Sequence, residues 1–336
     1  HALAKDTLFL AAGAIIFSTN CTRVDQLRGI GRRMPVTMWC FTLAALSLIG
    51  IPPMAGFVSK WYLLTASLEA PIQAFGVAGL VVLVVSALLT AGYLLPVVTE
   101  GFFPGRDFIT ERREVGVQMT WPMIAFAAAV VLMGLLPGGL LHWLGLLAAR
   151  MFPCQWGSFE KGGTSVRQFL TLPILLPIVL GIALLILQPK SRRVRSIYIM
   201  AASLATTALS LACIVLTYLY GSGFLACIMV RFNEAFSISL RIDGASMVYG
   251  AIVSVLWPLV TAYSLDYMSH EGHENRFFAF WLMAYGVVLG IAYSEDFLTL
   301  YFFYEVLTLT TLPLVMHAMD EKARYAGRKY LVYSLS

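Results

Sequence analysis

The sequence predicts an all-α, polytopic transmembrane helix bundle, and three observations carry that expectation. Fifty-nine per cent of the 336 residues are hydrophobic, only 12% are charged and the mean hydropathy is +0.80, whereas a soluble domain carries about 25% charged residues. Apolar runs recur at the ~20-residue length that lets a helix cross a ~30 Å hydrocarbon core. Basic residues then gather in alternate loops, as the positive-inside rule requires. The net charge of +5 belongs to those loops and is no nucleic-acid footprint.

About ten spanning segments follow in order. The first, 1–18, is the run HALAKDTLFLAAGAIIF, in which His1, Lys5 and Asp6 stand among apolar and small residues. Segment 36–67 is too long for one straight crossing, and Gly50, Pro52, Pro53 and Gly56 interrupt it midway. Proline removes a backbone donor and clashes with the preceding turn, so one discontinuous helix is expected near 50–56. Segments 75–99 and 119–147 complete a first block. Residues 148–168, with Pro153, Gly157, Gly162, Gly163, Thr164 and Ser165, read as a linker between modules. The second block holds 169–188, 197–219, 242–266, 277–293, 296–318 and a truncated run at 325–336. The chain starts at His1 and stops at Ser336 within helical pattern, so it is expected to be a fragment of something longer.

Charge tests this topology. If the first segment runs from outside to inside, the inside loops hold sixteen of the 23 Lys and Arg residues, in groups around Arg23–Arg33, Arg106–Arg113, Lys190–Arg195, Arg276 and Lys322–Lys329. The outside holds five (Arg150, Lys161, Arg167, Arg231 and Arg241), and Lys5 and Lys60 lie within spans. This orientation puts the 148–168 linker on the outer side.

An ionisable group at membrane depth costs several kcal/mol by the milder estimates, so it marks an ion path or a satisfied pair. Lys60 follows the break in LIGIPPMAGFVSKW; broken helices with a nearby charge recur at transporter ion sites, against the alternative of a lysine snorkelling from a last turn. Glu305, in FLTLYFFYEVLTLTTLPLVM, is either a relay carboxyl near a lysine or a structural one bonded to Tyr304 or Thr308. His1 and Lys5, four apart, share one helical face, as an ion-path pair or as headgroup-reaching side chains. The loop HEGHE, His270–Glu274, reads as a solvated interfacial loop, His142 as interfacial, and His317 as a helix cap beside Asp320. Five cysteines (Cys21, Cys40, Cys154, Cys213 and Cys227) show no CxxC or CxxH spacing, so no metal, cluster or other cofactor is expected.

Two stretches, HALAKDTLFLAAGAI and RRMPVTMWCFTLAALSLIGIPPMAGFVSKW, resemble the second half of an antiporter-like subunit of respiratory complex I. The same family includes Mrp-type sodium/proton antiporter subunits and the membrane arms of energy-converting hydrogenases. LPILLPIVLGIALL, IDGASMVYG, YSLDYM, RFFAFWLMAYGVVLGIAYSEDFLTLYFFYEVLTL and AGRKYLVYSLS resemble that family's first half. The resemblance implies that Lys60 is the discontinuous-helix lysine of proton exit, that His1 and Lys5 are the polar pair of the central hydrophilic axis, and that Glu305 modulates a nearby lysine. It implies a C-terminal half-module (1–147) joined through 148–168 to a truncated N-terminal half-module (169–336). The inverted order, the missing middle helices, Asp6 where small residues are usual and Tyr304 where tryptophan is frequent depart from the pattern.

The expected function is proton or Na+/H+ translocation within a multisubunit energy-converting complex, with Lys60 and Glu305 in one lateral chain of charges. Redox chemistry, as in an NADH-quinone oxidoreductase or hydrogenase, falls to partner subunits. A non-conducting scaffold or decayed fusion is the alternative. The expected partners are other membrane subunits of a complex I-like, Mrp-like or hydrogenase assembly and the lipid bilayer, without nucleic acid. The implied location is a bacterial or archaeal cytoplasmic membrane.

Overall fold

The computed structural model describes residues 1–69, 73–103, 112–151, 169–221, 224–231 and 237–335. Most of the expected linker, 152–168, lies outside them. The described residues are almost entirely helical: α1 Ala2–Thr19, a short α2 Ile30–Arg33, α3 Pro35–Ile49, α4 Ala55–Leu68, α5 Gln73–Phe102, α6 Val117–Leu135 and α7 Pro137–Met151, then α8 Leu172–Leu187, α9 Arg192–Tyr220, α10 Gly244–Tyr267, α11 Glu274–Ala292, α12 Phe297–Val315 and α13 Glu321–Leu335. Among these residues eight helices are long and apolar enough to cross a bilayer (α1, α5, α6 and α8–α12). The chain forms two compact units, residues 1–144 with 262–267, and 145–261 with 268–336.

In the first unit, proline at the first position of α3 presets the helical φ where a backbone N–H has no intrahelical partner anyway. α3 ends at Gly50, whose φ of 92° is left-handed and whose N–H donates to the carbonyls of Leu46 and Ser47. Pro52 and Pro53 follow, and α4 begins at Ala55. Segment 36–67 is therefore two pieces of 15 and 14 residues. α1, α3 and α6 pack against one another, with small buried side chains on α1 (Ala4, Ala11, Ala14) and α3 (Ala44, Ala45), and with Ala4, Ala44 and the α6 residue Val130 in one cluster; small residues let membrane helices approach closely.

One expected crossing differs. Segment 119–147 is not a single helix but α6 and α7, divided at Leu136. The cause is Pro137, because the residue before a proline is pushed out of the α region; Leu136 has φ −123° and ψ 57°.

The second unit contains an element the apolar pattern does not suggest. β1 (Cys227–Arg231) and β2 (Ser237–Leu240) form an antiparallel hairpin that pairs Cys227 with Leu240 and Arg231 with Ser237. It is tied to the connection between α11 and α12: Arg241 N–H donates to Tyr293 O at 2.8 Å, Glu295 N–H to Ser239 O at 3.1 Å, and Ser239 N–H to Thr299 Oγ1 at 2.9 Å. Asp296 caps α12 by accepting from Thr299 N–H at 2.7 Å. Burial raises the Asp296 carboxyl, but hydrogen bonds from Ser239 and Thr299 outweigh it and hold the carboxyl below its ordinary value. α8 and α11 meet through glycine: a Cβ on Gly286 would lie 2.3 Å from Ile174 O. Arg195, in the first turn of α9, is no loop residue. It is 8% exposed and forms an ion pair with Glu274 at the start of α11.

Candidate functional site

A helix that stops inside a bilayer leaves its last carbonyls without partners, and these survive only where protein or water satisfies them. At the α3–α4 break that partner is a side chain. Lys60 lies in the second turn of α4 and turns back, so that Nζ donates to Leu48 O at 2.9 Å and Ile49 O at 2.8 Å. An ammonium at a helix C-terminus also meets the negative end of the helix dipole. The closeness of the two half-helices makes this possible. A Cβ on Gly50 would meet Lys60 Cδ at 2.7 Å, one on Gly56 would meet Ser47 O at 1.8 Å, and one on Gly134 of α6 would meet Pro53 O at 2.0 Å. Gly56 N–H donates to Ser47 Oγ at 3.1 Å. The broken-helix residues Gly50, Pro52, Pro53 and Gly56 thus form one compact junction, and Met54, 6% exposed, seals it against Ala4, Ala44 and Val130.

The other end of α3 also carries a charge. Glu114, just before α6, accepts from both the N–H and the hydroxyl of Thr37 in the first turn. A carboxylate suits the positive end of a helix. Glu114 and Thr37 are 77 residues apart, and no local pattern pairs them.

The remaining sequence-predicted residues sit differently. His1 and Lys5 share a face of α1, but both are exposed, on the side away from buried Ala4, Thr7 and Ala11. Glu305, half-buried on α12, hydrogen-bonds Tyr301 one turn earlier. Thr308, one of its two expected structural partners, donates instead to Tyr304 O at 3.3 Å. Among the described residues no group of three or more His, Cys, Asp or Glu side chains is placed to hold a metal.

His317, beyond the end of α12, bonds through Nε2 to Gly272 O at 2.9 Å, and Arg276 donates to the His317 carbonyl. Burial pushes the imidazole below its ordinary 6.5, and Arg276 and His273 push the same way, while the Gly272 carbonyl and Glu271 oppose them. The folded state therefore resists protonating it. The associated stability is complete above about 6.5 and is lost as pH falls below that value toward the depressed folded one. Lowering pH from about 7.5 to about 5 should loosen the α12 end in the native chain and much less in His317→Gln. Thermal unfolding at the two pH values checks this, and equal pH dependence in both proteins would refute it.

Comparison with known proteins bears on both units. Residues 1–90 match a family described as NADH:quinone oxidoreductase/Mrp antiporter, transmembrane region, and residues 232–278 match the NADH-ubiquinone oxidoreductase (complex I) chain 5 N-terminus. The chain is 39% identical over 151 residues to an NADH-quinone oxidoreductase subunit N of Desulforudis audaxviator, covering 40% of this chain and 29% of that protein. It is 37% identical over 154 residues to an NADH-quinone oxidoreductase subunit L of Mycobacterium tuberculosis, covering 43% and 24%. It is 29% identical over 147 residues to a Na(+)/H(+) antiporter subunit A1 of Staphylococcus haemolyticus, covering 41% and 18%. The matches span less than a third of the length of each of these relatives.

Proposed function

From antiporter-like family sequence in two separate stretches of an almost entirely helical membrane bundle, we propose that this chain is an ion-translocating part of a multisubunit membrane complex, moving protons or exchanging them for sodium. The observation that carries the reading is Lys60 on the carbonyls of the broken helix. A desolvated ammonium is poised between two tendencies: the carbonyls and the helix dipole favour the charged form, and the apolar surroundings favour the neutral amine. A small rearrangement of the junction, or a nearby positive charge, tips that balance and releases one proton. Recharging takes one proton from the opposite side.

In this reading His1 and Lys5 present a titratable face to helices beyond α1. Glu305, with Tyr301 as its local partner, is the acid of a second half-path. Residues 1–147 and 169–336 act as half-modules of two tandem units joined through an outer linker at 148–168. Partner membrane subunits supply redox or ion-gradient drive. The exposed Lys5 and the purely local Tyr301–Glu305 bond favour one competing reading, a non-conducting scaffold. Lys60→Ala and Glu305→Gln, made separately in the assembled complex in sealed vesicles, decide between them. Each should slow proton translocation by about a hundredfold while the assembly is retained. Native rates in both variants would leave only the scaffold.

A further inference from the structure

Apart from the Lys60 junction, the second unit holds a line of buried hydroxyls between α9, α10 and α11. Tyr293 OH lies 2.6 Å from Ser210 Oγ, which accepts from Ser254 Oγ at 2.6 Å. Ser254 also bonds Tyr285, whose hydroxyl is 2.9 Å from Thr207 Oγ1. Ser210, Ser254, Tyr285 and Tyr293 are all fully buried. One turn further along α11, Trp281 Nε1 donates to Thr261 Oγ1 at 2.9 Å, and at the start of the helix Glu274 holds Arg195.

The bonded hydroxyls flank Tyr285 to Tyr293, eight residues of α11 and its cap or about 12 Å at 1.5 Å per residue, and the Trp281–Thr261 and Arg195–Glu274 pairs stand as separate polar steps toward the start of the helix. A helix interface of purely structural origin needs each buried polar atom satisfied. Here Ser203 Oγ and Trp257 Nε1, beside the Thr207–Tyr285 stretch of the seam, are buried with no hydrogen-bond partner among the described residues. Thr207 Oγ1 also lies 3.0 Å from Ser203 O, and Trp257 stacks on Tyr285 at 4.9 Å. Buried polar atoms of this kind are the sites internal water occupies.

We propose that this seam is a proton wire, with water at Ser203 Oγ and Trp257 Nε1 bridging the hydroxyl line toward Glu274. Each oxygen takes a proton on a lone pair as it passes its own hydrogen to the next oxygen. One proton therefore enters at one end and one leaves at the other, no heavy-atom bond changes, and the hydroxyls then rotate back. The wire rests on the ion-translocating reading above and adds to that same path a segment through α9–α11, built from groups other than Lys60, Lys5 and Glu305.

The test is proton movement by the full chain in its complex, in sealed vesicles, for Ser254→Ala, Tyr285→Phe and Ser254→Thr. Losing one link should slow it about tenfold in the first two, while Ser254→Thr, which keeps a hydroxyl, stays near the native rate. Native rates in the first two variants overturn the wire, as does Ser254→Thr slowing as much as Ser254→Ala, which marks a packing effect. If the variants fail to assemble, infrared spectra of the native complex transferred to D2O decide: the hydroxyls of Tyr285 and Tyr293 should exchange during turnover, and their retention of hydrogen overturns the proposal. Lys60→Ala in the same vesicles keeps the two readings apart. Its failure to slow transport sinks the ion-translocating role of that junction, whereas native rates in the seam variants alone sink only the wire.

Discussion

Gly56→Ala should collapse the α3–α4 junction. The added Cβ would stand 1.8 Å from Ser47 O and 2.7 Å from Ser47 C, where no rotamer change can relieve it because the obstacle is backbone. Overpacking a core costs about 1–3 kcal/mol, and a clash with main chain sits at or above the top of that range, about 3 kcal/mol or more. Stability and function are joined at this point, because moving Ser47 displaces the adjoining carbonyls of Leu48 and Ile49 that hold Lys60. The thermal midpoint in detergent should therefore drop by more than about 5 °C, and proton translocation should fall with it. Gly92→Ala is the control, since its added methyl would meet nothing within 4 Å and alanine is the better helix former. If Gly56→Ala were as stable as Gly92→Ala, the close approach of the half-helices would be wrong.

Arg195→Leu should be nearly as damaging to the second unit. The side chains of Arg195 and Glu274 are 10% and 17% exposed, so removing the cation strands a carboxylate in a largely dry site. Breaking one side of a buried pair costs about 3–5 kcal/mol, whereas replacing both partners with apolar groups is often neutral. Arg195→Leu with Glu274→Leu should accordingly recover most of the stability that Arg195→Leu loses. The two proteins differ in thermal unfolding and in proteolysis of the 169–335 region. A double variant no more stable than the single one would show that the pair is held for some reason other than charge compensation.

The parts of the molecule legible in the sequence share a physical character. Apolar length marks spanning helices because the bilayer demands it residue by residue, and eight such helices are found among the described residues. The α3–α4 break is readable because Gly50, Pro52 and Pro53 act on their own backbone and its immediate neighbours. The division of α6 from α7 carries the same signal in Pro137, but continuous hydropathy across 119–147 masks it. The hairpin at 227–240 escapes sequence reasoning because its strands are five and four residues long, too short for alternation to stand out. Glu305 is visible as a charge in an apolar run, yet its bond to Tyr301 rather than Thr308 depends on rotamers that spacing alone does not choose.

Composition and local covalent chemistry determined the membrane class, the position of the break and the identity of its charged residue. Only the tertiary structure decided what those charges touch. Lys60 meets carbonyls eleven and twelve residues back, Glu114 reaches Thr37 across 77 residues, and Arg195 finds Glu274 across 79. A hydrogen bond needs partners within about 3 Å, and chain order does not encode that distance once a helix has turned back on its neighbours.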